Sequence, residues 1–318
     1  MIRSELRWAS YDAEMPADRG WSFRLTRDEE LAAGLTRVAA GRAEAALERL
    51  RESEAGEGDA AEAVHGVRKD MKKLRTVLRL LRFELGEKRY RVENARFRDA
   101  ARTLSEARDA EVKLETVEAL AGHEADLPTA ALDAWRKILD RDRAAAANFT
   151  HGEETVAEAR SLVEAGLEGI RAWELEGDSW KLVEPAVIRT YRRGRRAMKK
   201  AKARRRAGDL HEWRKRAKDL WYELRLLSCA WPGPLEAAAD EAHRLTDLLG
   251  DHHDLALLRE DLRERNLGEA ETAALEAAID RRQEELAAEA LSLGRRLYAE
   301  RPPELNRRLR RYWRAWRG

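Results

Sequence analysis

Residues 186–225 read AVIRTYRRGRRAMKKAKARRRAGDLHEWRKRAKDLWYELR. They hold sixteen Lys or Arg against four Asp or Glu, a net charge of +12. From Leu210 the apolar positions Leu210, Trp213, Ala217, Leu220, Leu224 and Leu227 recur at steps of three and four. That is the period of one face of an α-helix. One position on, His211, Arg214, Lys218, Trp221 and Arg225 keep the same spacing. One residue is about 100° of rotation, so this second stripe flanks the buried one. Its side chains can root beside the core and aim their charges outward.

A second stretch, His65 to Arg82, has seven Lys or Arg and one acid, a net +6. Its apolar stripe is Val64, Val67, Met71, Leu74, Leu78, Leu81 and Leu85, flanked by His65, Arg68, Lys72, Arg75, Arg79 and Arg82. The whole chain carries only +2, so everything outside the two stretches sums to −16. Near-neutrality hides strong segregation of charge, the footprint of a polyanion-binding surface.

The 318 residues are rich in Ala, Leu, Glu and Arg and poor in Val-, Ile- and Thr-rich runs. That composition predicts an all-α protein with a substantial core. Cys229 is the only cysteine, which excludes an internal disulfide or a cysteine-rich metal site. The opening MIRSELRWASYDAEM lacks the apolar centre of a signal peptide. No stretch approaches roughly 20 apolar residues. The expectation is a cytoplasmic protein without integral membrane contact.

Taken in order, residues 1–25 read as an N-terminal arm, pinned by Trp8, Trp21 and Phe23. Thr26 and Glu29 have the spacing of a capping box and predict a helix to about Arg51. Asp59 and Glu62 repeat that spacing at the start of the first basic helix, and Gly86 is its expected stop. One helix is expected over 88–120, another after Pro128, and a joint at 148–152. The second half predicts helices at 153–173, at 180–206, and from His211 onward after a break at Gly208 and Asp209. Trp231-Pro-Gly-Pro234 ends that helix. Helices at about 235–265 and 269–299, and a short one from Pro302, complete the chain.

The two basic helices match each other. VHGVRKDMKKLRTVLRLL aligns with LHEWRKRAKDLWYELRLL at an offset of 146, placing His65 on His211 and Arg68 on Arg214. Further on, LSEARDAEV aligns with LGDHHDLAL at an offset of 145, placing Asp109 on Asp254. Motifs recurring in one order imply a duplicated unit of about 150 residues. The expected build is two four-helix bundles related by a pseudo-twofold axis, repeat 1 at 26–150 and repeat 2 at 151–318. Such an axis would let the two His helices share a basic groove.

These residues resemble the CHAD domain, a conserved histidine α-helical family. The likeness rests on the His65 helix, then R-D-A-E-V, Y-R-R-G-R-R-A-M, the His211 helix and L-G-D-H-H-D-L-A-L-L, and spans roughly 25–316. The resemblance implies two pseudo-symmetric helical bundles and a basic surface that binds inorganic polyphosphate. It assigns His65, Arg68, Lys69, Lys72 and Arg79 to the first repeat, and His211, Arg214, Lys215, Lys218 and Arg225 to the second. Arg75 joins them from the flanking stripe, and Arg189, Arg193, Arg196 and Lys200 from the basic stretch upstream. Many relatives carry a triphosphate tunnel domain as well. Its E-x-E-x-K signature does not occur here, so phosphohydrolase activity is not carried over. Trp221 and Asp219 stand where the first repeat has Arg75 and Lys73, so the repeats need not bind equally.

Arginine can grip two phosphate oxygens with its planar fork, while lysine is a mobile point charge. A helix stripe repeats every ~5.4 Å, so successive turns can meet successive phosphoryl groups. The bland alternative is a solubilising face paired with acids. His65 and His211 are open to three readings: phosphate donors, proton acceptors or interface residues. Metal binding is disfavoured by the surrounding cations. His252-His253-Asp254 has no matching second constellation, and Asp109 and Asp254 read as structural partners of cations. His211-Glu212 does not continue into H-E-x-x-H, and no phosphate-cradling glycine loop is present. Trp135, Trp173, Trp180, Trp213 and Trp221 are expected in the core. Trp313 and Trp316 lie among six arginines of the C-terminus, which could extend the anion surface, touch a membrane or cap the second bundle. The expected function is non-catalytic polyphosphate binding, for targeting or scaffolding, with no cofactor and with polyphosphate granules as a natural location. Other polyanions are secondary partners. The rivals are a nucleic-acid-binding module and a phosphate-metabolism enzyme using His as phospho-acceptor.

Overall fold

The structure is a computed structural model that describes residues 21–56, 59–104, 109–124, 127–147, 153–265 and 268–318. The expected joint at 148–152, Trp8 and the side chain of Asp109 lie outside the described residues. Twelve α-helices and no strand occur among those described. They are α1 (Leu31–Glu54), α2 (Ala60–Leu80), α3 (Arg82–Leu85), α4 (Glu87–Thr103), α5 (Asp109–His123), α6 (Thr129–Ala147), α7 (Glu153–Arg171), α8 (Glu184–Arg204), α9 (Ala207–Leu227), α10 (Pro232–Glu264), α11 (Glu269–Leu297) and α12 (Pro302–Arg317).

Two compact units result. The first gathers α1 to α4 with α7, and the second gathers α5, α6, α8 from Val187 on, and α9 to α12. These units are cut differently from the sequence repeats, because α5–α6 and α7 each belong with elements distant in the chain.

In the first unit the four long helices pack in a ring, α1 on α2 and α7, α4 on α2 and α7. Phe97 of α4 lies directly over Gly166, where any side chain would strike its ring. Trp173 is buried and its Nε1 donates to Glu93 Oε2 at 2.9 Å. Trp21 and Phe23 are also buried. The expected capping bond exists, from Thr26 N to Glu29 Oε1 at 2.7 Å. The helix nevertheless starts at Leu31, whose N–H donates to Asp178 Oδ1 at 2.9 Å. Asp59 caps α2 as expected, accepting from Ala61 N at 2.8 Å.

The helix expected over 88–120 is two helices. α4 ends at Thr103 and belongs to the first unit, whereas α5 belongs to the second. There, Val117, Leu120, Leu132, Trp135, Leu139, Leu258, Leu262, Leu275 and Ile279 form one continuous core from α5, α6, α10 and α11. Buried Asp261 of α10 ties this core together. It accepts from Lys113 of α5 at 2.7 Å and from the Trp135 indole of α6 at 3.3 Å. Burial pushes its carboxyl up, but the bonds from Arg265, Lys113 and Trp135 outweigh this and hold it below its ordinary value. α8 is anchored through Tyr191, whose hydroxyl donates to the Leu297 carbonyl at 3.0 Å and whose ring lies 5.2 Å from that of Tyr298.

The break before the His211 helix is not at Gly208 and Asp209, which form the first turn of α9. It falls at Arg205, which takes a positive φ of 49°. Pro232 opens α10 at its first position, where its missing N–H is no loss. All five tryptophans assigned to the core are buried.

Candidate functional site: two basic helix faces

On α2 the buried stripe is Val67, Met71, Leu74 and Leu78, and His65, Arg68, Lys69, Lys72, Arg75 and Arg79 are all half-buried beside it. The sole acid between His65 and Arg82, Asp70, is turned inward. It bonds Arg42 Nη1 at 3.0 Å and Arg49 Nε at 3.3 Å, both from α1. Lys73 is also buried, its ammonium 5.7 Å from the Phe23 ring centre. From His65 on, the outward part of this helix is therefore cationic without interruption by a carboxylate of its own; Glu62 is exposed in the first turn before it. Two of its arginines are already oriented. Arg75 Nε donates to Asn94 Oδ1 of α4 at 3.0 Å, and Arg79 Nη2 to Thr76 Oγ1 at 2.7 Å. Arg82, on the flanking stripe by spacing, is drawn off to Glu87 at 2.7 Å and stacks over Tyr90.

On α9 the site is built with help from α10. The two helices run antiparallel about the turn at Pro232, so residues equally distant from it meet. His211 stacks on His253, with ring centres 4.0 Å apart and planes inclined by 39°. Arg214 lies across Gly250, where an added Cβ would stand 2.5 Å from its Nη2. Only a glycine lets the guanidinium lie this close to the α10 backbone. Trp221, at the position matching Arg75, is buried and packs 4.1 Å from His243. It is core, not ligand surface, so the second face is shorter than the first.

The electrostatics of this cluster are one-sided. His211 is pushed down to about 4, chiefly by burial, then by His253, Lys215, Arg214 and Lys218. His253 is lowered too, by burial before all else. Asp254 opposes that shift through its field but forms no ion pair among the described residues, so the expected pairing with a cation is not made. The Nδ1 of His211 and the Nε of Arg214 are buried without a hydrogen-bond partner. Unmet buried polar atoms are costly, of order 1–3 kcal/mol each.

The remaining candidates divide. Arg193 of α8 is half-buried and lowered by burial and by the neighbouring Arg216, so it extends the positive field. Arg189 is half-buried and Arg196 exposed on the same helix. Lys200 is bound to Asp209 at 2.6 Å and holds that carboxyl below its ordinary value. Lys215 is exposed, 3.8 Å from Glu212, and Arg225 is half-buried further along α9. The structure thus brings together His211, Arg214, Lys215 and Lys218, and adds His253 of the His252-His253-Asp254 run.

A family model for the CHAD domain matches residues 41–263. The chain belongs to the CHAD family. The match includes every candidate residue above and excludes α11 and α12. No curated protein matches this CHAD chain. Among the described residues no group of three His, Cys, Asp or Glu could hold a metal ion, and no helix is long and apolar enough to cross a membrane.

Proposed function

We propose that this CHAD protein binds inorganic polyphosphate on the cationic faces of α2 and α9, and that binding, without chemistry on the phosphate chain, is its role. The observation that carries this reading is the His211–Arg214 cluster. Two buried N atoms there lack partners, and His211 is held far below its ordinary pKa in a field of like charge. A phosphate oxyanion would supply the missing acceptors and reverse the field. The face of α2 from His65 on offers the same residue types at the same spacing, with Asp70, the one acid in that stretch, turned inside. Successive helical turns would engage successive phosphoryl groups, and release of condensed counterions would make affinity fall steeply with salt.

Polyphosphate affinity measured by fluorescence anisotropy over a salt series tests the proposal. Arg68→Ala with Lys72→Ala, and Arg214→Ala with Lys218→Ala, should each weaken binding and reduce the log–log salt slope by about 1.4, taking about 0.7 per contact. Arg281→Ala with Arg282→Ala is the charge-matched control. Those two arginines are paired with Glu124 and Glu285 at 2.6 and 3.0 Å and should change the slope little. Equal effects from control and stripe variants would mean that net charge alone drives binding. Chain length and orthophosphate are quantified after incubation, and any shortening would reject a purely binding role. Competition with duplex DNA at fixed salt separates the polyphosphate reading from that of a DNA-binding module.

A further inference from the structure

The last helix carries a second charged surface of different chemistry. α12 holds six arginines and one acid, Glu304. Its apolar side is used up, since Leu305, Leu309 and Trp313 are buried. Arg308 is spent on Glu300, at 2.7 Å. Arg307, Arg311 and Arg314 are exposed and form no ion pair among the described residues. Their spacing of four and three places them on one stripe, roughly one turn or ~5.4 Å apart along the axis. Trp231, 49% exposed, packs on the same helix at Tyr312, the residue after Arg311. It is not loose. Its ring meets Tyr312 of α12 edge-on, with centres 4.6 Å apart at 87°, and Arg308 lies over the other ring of the pair, 5.7 Å from its centre.

We propose that α12 and Trp231 form a binding surface for single-stranded nucleic acid, separate from the polyphosphate faces. A fixed, half-exposed indole beside a line of unpaired guanidinium groups offers a stacking platform for a base and a track for its phosphates. The chemistry selects among anions. Polyphosphate has no ring to stack, so the indole adds nothing to its binding. An anionic membrane would need an apolar helix face to insert, and that of α12 is already buried. Duplex DNA hides its base faces. Single strands present both bases and phosphates.

The test uses the full chain, a fluorescein-labelled oligothymidylate and an abasic sugar-phosphate oligomer of equal length. The wild type should bind the oligothymidylate more tightly. Trp231→Ala should weaken that binding by roughly 5- to 150-fold, the range for loss of one base–aromatic stack. It should leave abasic oligomer and polyphosphate affinities unchanged. Arg307→Gln with Arg311→Gln and Arg314→Gln should weaken both oligomers and lower the salt slope by about 2. Equal binding of the two oligomers, or indifference to Trp231→Ala, overturns the proposal. So does loss of oligothymidylate binding only in the Arg214→Ala, Lys218→Ala variant, or binding of phosphatidylglycerol vesicles in place of the oligomer. Photocrosslinking to the wild type gives a reading independent of any variant's folding. Crosslinks at Trp231 or within α12 support the surface, and crosslinks confined to α2 and α9 reject it.

Discussion

Protonation of His211 gives the sharpest test of the α9 face. In the free protein this imidazole titrates at about 4, against about 6.5 in an exposed chain. A bound phosphate oxyanion adds a negative neighbour, which favours the imidazolium and raises the bound-state value. The sign follows by linkage. Where the complex holds a proton that the free protein lacks, affinity rises as pH falls. The rise begins below the bound-state pKa and stops once the free protein is protonated as well, near pH 4. Full recovery to the ordinary value would span about 2.5 units, and each unit is tenfold. Because His211 keeps some solvent access, screening reduces this, and a gain of about 10- to 100-fold between pH 7 and 4.5 is expected. Isothermal titration with polyphosphate across that range, for wild type and His211→Gln, measures it. The difference between the two proteins isolates the histidine from titration of the phosphate chain's own ends. Identical pH profiles would remove His211 from contact with the ligand. A gain that levels off already at pH 6.5 would show that the burial and cationic field on this ring have been overestimated.

Two further outcomes follow from named contacts. Gly250→Ala places a methyl 2.5 Å from Arg214 Nη2, the mobile end of a flexible side chain. Thermal stability should hold or rise, by up to ~1 kcal/mol of helix propensity, while polyphosphate affinity drops toward that of Arg214→Ala. Unchanged affinity would show that the placement of Arg214 against α10 does not matter for binding. Asp70→Ala strips buried Arg42 of the carboxylate 3.0 Å away and should cost about 3 kcal/mol in urea unfolding. A loss below ~1 kcal/mol would mean that the ion pair is not an important tie between α1 and α2.

Much of this was legible in the residue order because helical period survives any tertiary detail. The stripes on α2 and α9, the cap at Asp59, the stop after α9 at Trp231-Pro-Gly-Pro234 and the five core tryptophans all follow from spacing and residue type, although α10 starts at Pro232 and not near 235. The break between α4 and α5 was not legible, since no glycine or proline stands between Phe97 and Leu120 and the two helices belong to different units. The position of the turn at Arg205 was hidden for another reason. Gly208 and Asp209 are stronger breakers by propensity, but a glycine tolerated in a first helical turn looks the same in sequence as one that stops a helix. His253 was within reach. A helical hairpin folded at Pro232 sets opposite each other any two residues equally far from it, and His211 and His253 are 21 positions away on either side. The lowered pKa of His211 was not, because it depends on burial and on a second helix as well as on its own neighbours.

The interleaving of the chain between its two units has a consequence for how the protein is made. The first unit has α1, α2 and α4 early, but the helix that closes its ring, α7, comes after α5 and α6, which belong elsewhere. Phe97 must wait for Gly166. The hairpin of α5 and α6 in turn leaves the ribosome long before Leu258, Leu275 and the rest of its core partners exist. Neither unit can therefore complete itself during synthesis of its own first segment, and no single cut yields two self-sufficient halves. A gene fragment ending near residue 150 would encode a three-helix remnant with an open seam, joined to an orphan hairpin. The helices of each unit are thus drawn from both sides of residue 150, and the chain folds as an undivided length.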